Sequence, residues 1–177
     1  NVTHRWSGQV LDTIDYAGFI GRNPGNEHVY VATGDSGQGM THGTVAGLLI
    51  PDLIEGRQNP WAALYDLARK SLRSAGTFAH ENLKVAGHYA EHATKSDVDQ
   101  ISDIMPGEGA VMRQGLRKLA LYRDPSGQLH VLSATCPHLG CIVHWNSGEK
   151  SWDCPCHGSR FHALGEVVNG PANTGLA

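Results

Sequence analysis

All four cysteines of this 177-residue chain lie in two short stretches, "CPHLGC" at Cys136 to Cys141 and "CPCHGSRF" at Cys154 to Phe161, and each stretch also carries a histidine. The spacing is Cys136-x-His138, fifteen further residues, then Cys154-x-x-His157, with Cys141 and Cys156 left over. Three chemistries compete for such a set. A zinc tetrahedron of two Cys and two His is one, but zinc sites mostly use C-x₂₋₄-C pairs, and both remaining cysteines would go unexplained. Disulfides alone leave the histidines without a role, and a dithiol redox motif wants C-x-x-C, which neither stretch supplies. A [2Fe-2S] centre of mixed ligation has two thiolates on one iron and two imidazoles on the other, so each loop should deliver one Cys and one His. Both stretches do so.

The two stretches closely resemble the Rieske motif, matching its C-x-H-x-G-C and C-x-x-H-G-S elements. The resemblance covers about residues 100–177. It implies that Cys136 and Cys154 ligate one iron and that His138 and His157 ligate the other. In members that resemble the respiratory and photosynthetic cytochrome bc complexes, cysteines at the positions of Cys141 and Cys156 form a disulfide joining the two cluster loops. Rieske ferredoxins and ring-hydroxylating oxygenases generally lack that pair, so the resemblance is nearer to the first group. Ser159 stands at the position of a serine that bonds a bridging sulfide. Phe161 stands where high-potential members carry a tyrosine whose hydroxyl bonds a ligand sulfur. Hydrogen bonds to sulfur stabilise the reduced, more negative cluster. The phenylalanine therefore predicts a potential below the top of the family's range of roughly −150 to +300 mV. Because imidazole ligands can lose their outer protons on oxidation, that potential is also expected to fall as pH rises.

Two other stretches carry chemistry-bearing residues. "HYAEH", His88 to His92, fits H-x-x-E-H, a zinc-protease pattern on a helix. Its two histidines and Glu91 lie off the apolar stripe of the surrounding sequence, so they are expected on a solvated helix face without a metal. "HVYVATGDSGQGMTHG" reads as a strand running into Gly34, Gly37 and Gly39 and then a helix, which brings backbone N–H groups and a helix N-terminus together. Together with "RWSGQVLDTIDYAGFIG", it resembles the C-terminal segment of FAD-dependent oxidoreductases of the D-amino-acid oxidase and glycine oxidase type, over about residues 1–70. In that family the Gly-rich turn lies against the flavin ring, which makes Gly37, Gln38, Gly39, Met40 and Thr41 the flavin-facing residues here. The G-x-G-x-x-G fingerprint that holds the ADP part of FAD is absent, so FAD is expected only in an intact, longer protein.

The elements that must position these residues are legible in outline. From about Ile101 onward, "GAVMRQG", "KLALYR", "QLHVLSA", "IVHWN", "SWD" and "EVVNGPA" read as short strands, with "DPSG" closing a hairpin. Residues 76–95 read as one amphipathic helix capped by Thr77, with Phe78, Val85, Ala86, Tyr89 and Ala93 on its apolar face. The expected fold class is α+β: residues 1–75 a C-terminal remnant of an FAD-dependent oxidoreductase domain, 76–97 a helical linker, and 98–177 a small antiparallel all-β Rieske domain. A net charge of −3 without a basic run argues against nucleic acid as a partner. No apolar run reaches the roughly 18 residues of a membrane span, and no signal peptide opens the chain, so a bacterial cytoplasmic location is expected. The expected function is electron transfer through the cluster, to or from a flavin domain and a redox partner protein, with homodimerisation through residues 1–75. The alternative is a metal-binding scaffold with a structural zinc.

Overall fold

Strand β4 (Arg117–Arg123) is the spine of the larger structural unit. It pairs antiparallel with β3 (Glu108–Gln114) on one side and β5 (Leu129–Ser133) on the other. Both faces of this sheet are apolar, because side chains alternate along a strand and the two faces meet different cores. Val111 and Ala120, opposite one another in the register, enter a core with Trp152 and Phe161. Their neighbours Ala110 and Leu121 enter a second one with Ile104. The "DPSG" hairpin forms as expected. Asp124 Oδ1 accepts the N–H groups of Ser126 and Gln128, both at 2.9 Å, and Gly127 takes the left-handed conformation (φ +92) that favours glycine.

The structure, a computed structural model, describes residues 1–4, 6–69 and 75–177. Asn1–Ser7 and Glu81–Ala177 form one compact unit, and Gly8–His80 a second. In the first, β6 (His144–Asn146), β7 (Ser151–Asp153), β8 (Arg160–His162) and β9 (Val167–Asn169) make a second antiparallel sheet in chain order. Both cysteine stretches are connections between these strands: residues 134–143 join β5 to β6, and 154–159 join β7 to β8. Each leaves the core at a buried cysteine, so the loops start from rigid ground.

Close packing beneath the loops depends on Gly109. A Cβ there would lie 2.7 Å from the Trp145 ring and 3.0 Å from Trp152. The two indoles are themselves edge to face, with centroids 4.9 Å apart. Gly109→Ala is therefore an overpacking change, expected to destabilise the unit by about 1–3 kcal/mol in urea unfolding.

In the second unit, β1 (Phe19–Arg22) and β2 (Tyr30–Thr33) form a two-stranded antiparallel sheet, followed by α1 (Gly39–Ile54) and a one-turn α2 (Ala62–Tyr65). Ile20, Ala46 and Leu49 are its core. The strand, tight turn and helix expected here are present, and α1 runs through Pro51 to Ile54. Arg69 ties the unit down: it bonds both carboxylate oxygens of Asp15 at 2.8 Å and lies over the Phe19 ring. The guanidinium holds the Asp15 carboxyl well below the usual carboxylate range. A depressed folded pKa contributes stability that is complete above the unfolded value and fades as pH falls through the folded one. Asp15→Asn should therefore destabilise this unit at neutral pH, with the difference from the unsubstituted chain shrinking below about pH 4 in a pH series of unfolding curves.

The single helix expected over 76–95 is divided. α3 covers Ala75–His88, and a 3-10 turn takes over at Tyr89–Ala93. Thr77 lies inside α3 rather than capping it, and Phe78 is 56% exposed rather than buried. The 3-10 geometry ends the 100° periodicity on which that stripe rested. The physical reason for the change lies in the partners of Tyr89, Glu91 and His92, which bond the first cysteine loop and its exit strand.

Candidate metal centre

The two loops are built alike. Cys136 N–H donates to Cys141 O at 2.8 Å, and Cys136 O accepts Gly140 N–H at 2.9 Å. Cys154 N–H donates to Ser159 O at 2.8 Å, and Cys154 O accepts Gly158 N–H at 3.0 Å. Each cysteine thus closes a turn with bonds to the residues four and five places on. The fourth is a glycine in the left-handed region both times, Gly140 at φ +82 and Gly158 at φ +76. That is the conformational reason for glycine in C-x-H-x-G-C and C-x-x-H-G-S. A disulfide between Cys141 and Cys156, with a Cα–Cα separation of 6.4 Å, links the loops.

Cys136 and Cys154 are free, buried and within hydrogen-bonding contact of one another. Burial pushes the Cys154 thiol up to about 11, the backbone N–H groups of Cys156 and His157 act against that rise, and the neighbouring Cys136 adds to it. His138 and His157 meet edge to face with ring centroids 4.9 Å apart. Partial desolvation of the otherwise exposed His157, and then the neighbouring His138, lower its pKa. Among the described residues, His138 Nδ1 is the buried side-chain nitrogen or oxygen without a hydrogen-bond partner. A desolvated imidazole nitrogen without a donor costs free energy unless something else occupies its lone pair. No group of three or more His, Cys, Asp or Glu among the described residues is placed to hold a single metal ion. Two thiols in contact and two imidazoles in contact fit a dinuclear centre of mixed ligation.

The surroundings fit the same group. Ser159 is buried, and its Oγ accepts Ala172 N–H at 3.0 Å, which leaves its own proton to be given elsewhere. Phe161 is buried in the core shared with Cys136, Cys154 and Trp152. Arg160 fixes the base of the second loop through Asp153 at 2.9 Å and Glu149 at 2.6 Å. Neither Arg160 nor the Ala172 amide stood out in the sequence, since an arginine in a strand and a backbone N–H carry no spacing signal.

"HYAEH" does not lie on a solvated face. Tyr89 Oη donates to Leu139 O at 2.6 Å, and His92 Nε2 donates to Gly140 O at 2.8 Å. Glu91 is half-buried and accepts from His88 at 2.6 Å and from His144 at 2.8 Å. Burial pushes the Glu91 carboxyl up, but the bonds from the two histidines outweigh it and hold it below its ordinary range.

Residues 94–177 match the Rieske [2Fe-2S] domain family. The cytochrome b6-f complex iron-sulfur subunit of Prochlorococcus marinus (strain NATL1A) is 32% identical over 146 residues, 78% of this chain and 72% of that protein. The chain belongs to the Rieske [2Fe-2S] family. The Rieske 2Fe-2S iron-sulfur protein YhfW of Bacillus subtilis is 42% identical over 174 residues, 97% of this chain and 34% of that relative, so the chain spans about a third of its length. Among solved structures, the cyanobacterial plasma membrane Rieske protein PetC3 from Synechocystis PCC 6803 is 31% identical with a TM-score of 0.40, covering 47% of this chain and 84% of that one. A Rieske domain implies a [2Fe-2S] cluster and an electron-transfer function, and the match disfavours a structural zinc. No helix among the described residues is long and apolar enough to cross a membrane.

Proposed function

We propose that Cys136 and Cys154 ligate one iron of the cluster and His138 and His157 the other, and that the chain serves as the electron-transfer module of a flavin-dependent oxidoreductase. The observation that carries the ligand assignment is His138 Nδ1, buried and unpartnered beside His157. When bound, the cluster takes up or releases one electron at a time, which suits it to link a two-electron flavin to a one-electron partner. The chain's residues do the rest. The Cys156 and His157 amides favour a thiolate at Cys154, the disulfide keeps the loops together, and the exposed His157 ring gives a partner a polar edge to approach.

Support for the flavin half comes from the second unit. A cavity of about 290 Å³ there is lined by Ile20, Thr33, Gly34, Asp35, Gly39 and His42. Gly37, Gln38, Gly39, Met40 and Thr41 are all exposed at the start of α1. Backbone N–H groups at a helix start favour negative charge, as develops at the N1/O2 edge of a reduced flavin. The site is narrow about its glycines: a Cβ on Gly39 would lie 2.6 Å from Asp35 Oδ2. The ADP-holding fingerprint does not occur in these residues, so FAD would be held chiefly by others. A bacterial cytoplasmic location and a homodimer through residues 1–75, using the open edges of β1 and β2, belong to the same proposal.

The test is the complete gene product. FAD released on denaturation, and anaerobic flavin reduction followed by the signal of the reduced cluster, are the expected results. A flavin-free product that still carries the cluster would overturn the flavin half and leave the ligand assignment standing. Light scattering that shows a strict monomer would dispose of the dimer.

A further inference from the structure

We propose that Tyr89 and His92 are positioning residues that hold the peptide planes of the first cluster loop and thereby set the cluster's reduction potential. This rests on the ligand assignment above. The 3-10 turn Tyr89–Ala93 meets the loop and its exit strand at three points. Tyr89 takes Leu139 O, His92 takes Gly140 O, and Glu91 takes the His144 ring at the start of β6. The Tyr89 ring also covers Gly140, where an added Cβ would stand 4.0 Å from it.

Two consecutive carbonyls are therefore pinned, and a trans peptide points its N–H opposite to its C=O. With Leu139 O directed at Tyr89, the Gly140 N–H faces inward and closes the turn on Cys136 O. With Gly140 O directed at His92, the Cys141 N–H also faces inward, where it donates to no backbone oxygen among the described residues. Cys141 is 1% exposed, so water does not serve that N–H either. Cys141 shares its buried core with Cys136 and Cys154, and an inward amide there favours the more negative, reduced state of whatever the loop encloses. Leu139 is 53% exposed at the loop tip, and the two planes are otherwise held from the inner side, by the Gly140 N–H on Cys136 O and by the Cys141–Cys156 disulfide. The stretch that looked like a zinc motif is in this reading a clamp, its histidines used as donors and its glutamate as an anchor.

The variants are Tyr89→Phe, His92→Leu, the pair, and His92→Gln, whose amide can still donate. Tyr89→Phe removes one oxygen from a 44% exposed side chain and keeps the fold. Amide exchange followed by mass spectrometry over residues 136–144, and the reduction potential, are measured on the cluster-bearing protein. Each single removal is expected to speed exchange of this segment roughly fivefold, and the pair roughly thirtyfold. The reduction equilibrium should shift against the reduced form by about threefold or more, with cluster content unchanged. His92→Gln should restore both readings. Unchanged exchange and potential in Tyr89→Phe and in the pair overturn the proposal. Faster exchange at an unchanged potential also overturns it, because the loop would then be held for stability alone. A chain that binds no cluster in its unsubstituted form defeats the ligand assignment instead, and the exchange measurement still decides whether the clamp exists.

Discussion

Cys154→Ala will leave a chain that binds no [2Fe-2S] cluster, whereas Cys141→Ser combined with Cys156→Ser will bind it and lose about 3 kcal/mol of stability. The four cysteines are thereby expected to behave as two classes. Cys136 and Cys154 are free, buried thiols in contact with one another, and in the proposed ligation removing one leaves one iron short of a ligand. Cys141 and Cys156 are bonded to each other across a sequence separation of 15. Closing a loop of that length removes chain entropy from the unfolded state equivalent to about 3 kcal/mol. Iron content and visible absorbance read the first effect, and urea unfolding reads the second. A Cys154→Ala protein that keeps its colour would show that the thiolates had been assigned wrongly.

Ser159→Ala should lower the reduction potential by about 60–130 mV. A hydrogen bond to a charged group is worth about 1.5–3 kcal/mol, and a one-electron couple moves about 59 mV for each tenfold change in equilibrium, which gives that range. The family resemblance directs that bond to a bridging sulfide, and the geometry leaves the proton for it. Ser159 is buried and its oxygen already accepts the Ala172 N–H, so its proton is free to be donated toward the cluster. The substitution also strands that amide and should cost about 1–3 kcal/mol of stability, a separate reading from denaturation. Phe161→Tyr should move the potential the other way by placing a hydroxyl in the core shared with Cys136 and Cys154. A Ser159→Ala protein with an unaltered potential would remove Ser159 from the account.

What could be read in the sequence followed from local spacing. The two loops were legible because each packs its cysteine, its histidine and the glycine of its turn into six residues or fewer, and the strands because alternation and "DPSG" are local signals. The disulfide was implied by family resemblance rather than by spacing, and the fold brings the two sulfurs together. The role of "HYAEH" was not legible. Its partners Leu139, Gly140 and His144 lie about fifty residues away, and helical periodicity carried past His88 placed its polar groups in solvent. The Ala172 amide on Ser159 was hidden for a similar reason, being a backbone group on a terminal segment that only the tertiary fold brings near.

The most direct test of the centre itself is electron paramagnetic resonance of the reduced protein, taken with its iron and sulfide content. Mixed ligation by Cys136, Cys154, His138 and His157 predicts a brown protein with two irons and two acid-labile sulfides per chain, and a rhombic spectrum of low average g value. A colourless protein holding zinc, or a spectrum of the kind given by an all-cysteine cluster, would contradict it.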